Sequence, residues 1–96
     1  QNIYPEEVEA VVNNQDYVVE SVVVDRASKL VALVYLDHDA IRKAGLDDET
    51  IADIPENIRI NANKALPSYS QLQKVEVVDK PFEKTPKMSI KRFMYK

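Results

Sequence analysis

The chain has 96 residues, 45% hydrophobic and 30% charged, with a formal net charge of −3. This is one small domain of ordinary globular composition, too short to enclose a large substrate cavity easily. It has no cysteine and one glycine, which excludes disulfide frameworks, thiolate zinc sites, thiol catalysis and the glycine-rich loops that cradle phosphates.

Pro5, Glu6 and Glu7 read as the first turn of a helix. Proline suits the first helical position, and carboxylates favour the positive end of the helix dipole. Val8, Val11 and Val12 follow at helical spacing, and Asn13-Asn14 ends the element. The acidic trio Glu6, Glu7 and Glu9 is explained by helix-start electrostatics, and no metal site is expected.

Val18 to Asp25 and Leu30 to Leu36 are β-branched and aromatic, and residues 26–29 between them suit a hairpin turn. The second of these strands is apolar on both faces, so it requires cover on both sides. At seven residues, its apolar run is far short of the roughly 20 that span a membrane. Asp37 is placed as the N-cap of a short helix to Ala44, with Gly45 as its C-cap. His38, the only histidine, reads as a solvated loop residue.

A helix restarting at Asp47 or Asp48 carries Ile51 and Ile54, and Pro55 is expected to interrupt it. A longer helix then places Ile58, Ala62 and Ala65 on one face and stops at Leu66-Pro67. Gln73 to Val78 reads as a third strand, residues 79–89 as a loop, and Ile90 to Tyr95 as a last helical turn or two. The expected fold is α/β, of α+β type: a small sandwich of about three mostly antiparallel strands with helices on both faces.

Charge is unevenly distributed. Residues 80–96 carry Lys80, Lys84, Lys87, Lys91, Arg92 and Lys96 against Glu83, a balance of +5, whereas residues 1–79 sum to −8. Such a tail is a solvated surface or a site for an anion. No nucleic-acid module accompanies it, and no nucleic acid is expected as a partner.

Three segments carry more information. Asn2 to Glu9 reads N-I-Y-P-E-E-V-E, Leu66 to Tyr69 reads L-P-S-Y, and Pro81 to Phe93 contains Thr85-Pro86, Ile90 and Arg92 in the pattern T-P-x-x-x-I-x-R. In this order and spacing they resemble the C-terminal domain of the adenylate-forming acyl-CoA synthetase superfamily, from Asn2 to about Tyr95. The tail from Ser89 to Tyr95 looks most like that of long-chain fatty acid–CoA ligases.

The resemblance implies a single mobile C-terminal domain over residues 1–96, with the ATP-binding domain and hinge outside this sequence; Gln1 in place of Met agrees with a fragment. The parent would use ATP, magnesium and CoA, with a fatty acid as substrate and its own N-terminal adenylation domain as partner. Nothing is expected to bind this domain alone, no activity is expected from it alone, and a cytoplasmic location is expected by default. In the first half-reaction such a domain delivers a lysine from its last loop, and in the second it presents the region around Asn2, Ile3 and Tyr4 to the CoA tunnel. The alternative for Tyr4 and Pro5 is that they staple the first helix to the sheet.

The family lysine stands directly before the isoleucine of the closing motif, preceded by glycine. Here those positions are Ser89 and Met88, and serine supplies no cation. Lys87, about 7 Å back along an extended loop and on the same side, is the favoured substitute. Lys91 would be rotated by about 200° if Ser89 began a helix. Three other readings stay open: that these lysines only solvate the loop, that the parent adenylates weakly, or that the position was altered. The rival for the whole chain is a stand-alone module whose basic C-terminal tail binds an anionic partner.

Overall fold

Proline at the first position and two exposed carboxylates in the first turn start α1 (Pro5–Asn13). The computed structural model describes residues 2–95; Gln1 and the Lys96 end of the basic tail lie outside them. Val8 and Val12 are buried on the inner face of α1, and Val11 packs at their edge.

Strands β1 (Val18–Arg26) and β2 (Lys29–Leu36) form an antiparallel hairpin, with Val22 opposite Leu33 and Arg26 opposite Lys29. The two-residue turn puts Ala27 at φ 53° and Ser28 at φ 67°. Paired positive φ values match the right-handed twist of hairpin strands, although neither residue is of the types that adopt them freely. The Asp25 carboxylate supports the turn by accepting the Ser28 N–H at 2.9 Å.

Helix α2 (His38–Ala44) has the expected ends: Asp37 accepts from the Ala40 N–H at 2.9 Å, and Gly45 closes it at φ 66°. Helix α3 (Asp48–Ala65) is one continuous element of 18 residues, capped by Asp47 onto the Thr50 N–H, with Pro55 inside it. The expected interruption at Pro55 is thus corrected. A proline within a helix removes one backbone bond, at about 3 kcal/mol. Ile54, Ile58 and Ala62, buried on one face on both sides of the proline, keep the two parts on a single axis. Ala65, expected on that face, is exposed.

Past α3 the chain turns through a short 3₁₀ segment, Ser68–Ser70, into β3 (Leu72–Val78). The side chain of Gln71 donates to the Asn63 and Leu66 carbonyls at 2.9 and 2.8 Å, satisfying the open helix end in place of a glycine cap. Asn63 accepts the Leu72 N–H at 2.7 Å and donates to its carbonyl at 3.0 Å, so the end of α3 holds the start of β3.

The sheet order is β1-β2-β3, and β3 runs parallel to β2, pairing Leu30 with Leu72 and Val34 with Val77. The three-stranded α/β expectation holds, with two corrections of detail. The sheet is evenly mixed rather than mostly antiparallel, because the α2–α3 connection is the long helical crossover that a parallel pair requires. The helices also share one face: residues of α1, α2 and α3 all join the core formed by Val23, Ala32, Val34 and Val75.

The opposite face is covered by a strap, residues 79–95, instead of a helix. Phe82 is only 3% exposed and packs on Val22, Val24, Val31 and Leu33, with Tyr35, Val78, Ile90 and Tyr95 around it. Burying one such phenylalanine contributes roughly 1.5–3 kcal/mol. The Phe82 and Tyr95 rings meet edge to face at 4.9 Å, and the Tyr95 hydroxyl accepts the Glu83 N–H at 2.7 Å. The last helical turn expected from Ile90 is a single 3₁₀ turn, Arg92–Met94. Strand β2 is therefore covered on both faces, as its composition requires.

Candidate functional site

Within the strap, Lys84 and Ile90 form an isolated antiparallel bridge, and the chain between them folds into a tight turn. The Thr85 N–H donates to the Ser89 carbonyl and the Met88 N–H to the Thr85 carbonyl, both at 2.8 Å; the Ser89 N–H donates to Thr85 Oγ1 at 3.2 Å. Pro86 and Lys87 occupy the middle of this turn and Met88 follows at φ 67°, so the extended run expected from Lys87 to Ser89 is corrected to a tight turn. A three-residue hairpin loop commonly ends in such a left-handed residue, usually glycine, because a side chain there meets the backbone. The backbone at Met88 thus has the conformation that glycine favours.

The turn presents Lys87, Met88 and Ser89 to solvent. Lys87 makes no ion pair among the described residues. Ser89 closes the turn and does not begin a helix, so Lys91 is set by a different constraint. Its N–H donates to the Glu83 carbonyl at 2.8 Å, and it is half-buried ahead of the 3₁₀ turn.

Carboxylates from the body hold both legs of the turn. On the incoming leg, Glu20 accepts from the Phe82 N–H at 2.9 Å and pairs with the Lys84 ammonium at 2.9 Å. On the outgoing leg, Arg92 donates to Glu9 through Nη1 at 2.6 Å and through Nη2 to the second oxygen. Glu9 is 5% exposed and also accepts the Val23 N–H at 2.7 Å. Hydrogen bonding to Glu9 raises the Arg92 guanidinium above its ordinary pKa; burial opposes this, and the charges of Glu9 and Glu6 add to it. The acidic trio therefore divides. Glu6 and Glu7 are exposed helix-start residues, whereas Glu9 is a buried ion-pair partner, which sequence reasoning missed.

Asn2, Ile3 and Tyr4 lie elsewhere. They line a small groove of about 60 Å³ with Leu66, Pro67 and Tyr69. The first and second motif segments meet there, and the Glu9–Arg92 pair ties the first to the third. The turn bearing Lys87 is not part of this groove. Among the described residues no group of three or more His, Cys, Asp or Glu side chains could hold a metal ion, and no helix is long and apolar enough to cross a membrane. His38 is exposed, with its ring edge against Tyr35.

Residues 1–95 match the family described as the AMP-binding enzyme C-terminal domain. The chain belongs to that family. An AMP-binding enzyme C-terminal domain also has neighbours among solved structures. Benzoate CoA ligase from Burkholderia xenovorans superposes with a TM-score of 0.72 at 26% identity, over 98% of this chain and 18% of that one. An acyl-CoA synthetase from Brucella canis gives 0.75 at 23% identity, over 98% and 17%. The fatty acyl CoA synthetase of Mycobacterium tuberculosis gives 0.69 at 19% identity, over 98% and 17%. The last two likenesses show the fold alone. The chain spans less than a fifth of the length of each of these proteins. No curated protein sequence matches it.

Proposed function

We propose that this chain is the C-terminal domain of an ATP-dependent acid–CoA ligase, acting on fatty acids, and that it completes an active site supplied by a larger N-terminal adenylation domain of the same protein. The observation that carries the proposal is the match across residues 1–95 combined with the anchored, solvent-facing turn that bears Lys87. The fatty-acid assignment rests on the resemblance of the tail from Ser89 to Tyr95.

In the first half-reaction a substrate carboxylate oxygen attacks the α-phosphorus of ATP, the bond to the bridging oxygen breaks, and pyrophosphate leaves. Two anionic groups about 4 Å apart repel by roughly 1 kcal/mol in water and about 4 kcal/mol at an intermediate dielectric. Lys87, which has no carboxylate partner among the described residues, is available to bridge them and reverse that sign. In the second half-reaction the CoA sulfur displaces AMP from the acyl carbon and the thiol proton is released. The domain turns so that Asn2, Ile3 and Tyr4 face the thiol's approach, since one position cannot hold both groups. The chain lacks a glycine-rich phosphate loop and, among the described residues, a carboxylate set for magnesium. Both belong to the larger domain in this reading.

Two of the tail's six basic residues, Lys84 and Arg92, are engaged with Glu20 and Glu9. This reduces what the tail could offer a polyanion and weighs against the stand-alone module. The test is Lys87→Ala in the full-length ligase. Pyrophosphate exchange is expected to fall about 10- to 100-fold while thioester formation from supplied acyl-adenylate is kept. Equal exchange in variant and parent would remove Lys87 from the reaction.

A further inference from the structure

The two anchors of the turn differ in what they attach it to. Glu20 stands on edge strand β1 and grips the incoming leg at Phe82 and Lys84. Glu9 stands on α1, accepts the Val23 N–H of β1, and takes both terminal nitrogens of Arg92. Its carboxylate is thus held from the body by the Val23 N–H and reached from the strap by Arg92. The bridge between Lys84 and Ile90 joins the legs, so the two anchors together leave the turn little room to slide along the sheet.

An ion pair with one partner buried and the other half-buried is a poor choice for stability alone, because desolvating Glu9 offsets much of the attraction. A two-pronged arginine–carboxylate contact supplies direction instead, fixing both distance and angle. An apolar contact at Arg92 would close the core yet let the outgoing leg shift. Helix α1 also directly follows Asn2, Ile3 and Tyr4, so one helix carries the proposed CoA-facing segment and holds the turn of the other half-reaction.

We infer that the Glu9–Arg92 pair is a positioning device: by locking the outgoing leg of the 85–89 turn to α1, it sets where the Lys87 ammonium stands during adenylate formation. This rests on the assignment of Lys87 to adenylation above. Neither Glu9 nor Arg92 touches the reacting atoms in this scheme; both act through the turn.

The experiment uses the full-length enzyme with Glu9→Gln, Arg92→Lys, Lys87→Ala and the double variant Glu9→Gln/Lys87→Ala. Ile58→Val, in the helical core on the other face of the sheet, serves as a stability control. Pyrophosphate exchange gives kcat and KM for adenylation, supplied acyl-adenylate gives the thioester step, and thermal unfolding gives stability. Glu9→Gln is expected to lower kcat for adenylation about tenfold, with KM and the thioester step within about twofold. Arg92→Lys, which keeps the charge but not the two-pronged contact, falls between it and the parent. In the Lys87→Ala background, Glu9→Gln has no further effect, because there is no ammonium left to position.

Full adenylation in Glu9→Gln, alongside a loss in Lys87→Ala, would overturn this inference and leave the assignment of Lys87 standing. No loss in Lys87→Ala would overturn both. Equal loss in the two half-reactions, or the same selective loss in Ile58→Val, would make the pair merely structural and also overturn the inference. If Glu9→Gln fails to fold, Arg92→Lys decides by the same criteria.

Discussion

In an Arg92→Met variant, the Glu9 carboxylate would keep only the Val23 N–H, at 2.7 Å, of its present partners. The two side chains are unequally placed: that of Glu9 is 7% exposed and that of Arg92 39%. Removing one partner of a fully buried pair costs about 3–5 kcal/mol, because the remaining charge is stranded. Here the pair lies at the edge of the core and water can reach it once the strap loosens, so about 2–3 kcal/mol is expected for Arg92→Met. Glu9→Gln breaks the same pair from the other side. Arg92 can then turn to solvent and the glutamine oxygen can still accept from Val23, which brings the cost to about 1–1.5 kcal/mol. For a domain of this size 1 kcal/mol shifts Tm by about 4–8 °C, so the two variants should separate clearly. Urea unfolding of the 96-residue chain, read as a change in midpoint at constant slope, measures both. The Glu9→Gln/Arg92→Met double variant should be more stable than Arg92→Met alone, since no stranded charge remains. Glu9→Gln costing as much as Arg92→Met, or a double variant weaker than either, would refute the reasoning. The pH dependence has a defined sign. A raised folded pKa means that the contribution of Arg92 is fully present below its unfolded value and lost only as pH rises through the folded one, above any ordinary assay range.

The β1–β2 turn offers a gain. Left-handed Ala27 and Ser28 each cost about 1 kcal/mol, and Ala27→Asn with Ser28→Gly should recover about 0.5–1 kcal/mol net of the freedom glycine adds to the unfolded chain. A rise in the thermal midpoint checks it, since the N–H that position 28 donates to Asp25 is backbone and is kept by glycine; a fall would refute the assigned backbone cost. At the start of α3, hydrogen bonding from the Thr50 side chain, then its N–H, holds the Asp47 carboxyl below its usual value, against a small effect of burial. The stability this gives is present above the unfolded pKa of about 3.9 and is lost as pH falls through the lower folded value. Asp47→Asn, which can still cap, should therefore show a shallower loss of stability on acidification, and identical acid titrations would count against it.

Much of the architecture could be read along the chain because its signals are local. Pro5 with two carboxylates, Asp37 with Gly45, and an apolar run wet on neither face each specify an element without reference to distant residues. Pro55 misled for the opposite reason: its cost is local, but what overrides it is burial of Ile54, Ile58 and Ala62 against a sheet formed elsewhere. The direction of β3 is likewise invisible in its own seven residues, since the crossover sets it. Glu9 is indistinguishable in sequence from Glu6 and Glu7, and its partner lies 83 residues away. The one available signal was that Glu9 and Arg92 close the first and last motif segments with opposite charges. The strap lacked periodicity and read as loop, yet its Phe82 completes the second core.

The segment that exposes Lys87 is also the roof over Val22, Val24, Val31 and Leu33. A stop codon or proteolytic nick ahead of Phe82 would therefore do more than delete a turn. It would leave a bare apolar sheet face beside edge strand β1, the combination that seeds aggregation. The tip of the turn is free to vary, but its legs cannot be discarded without uncovering the hydrophobic interior beneath them.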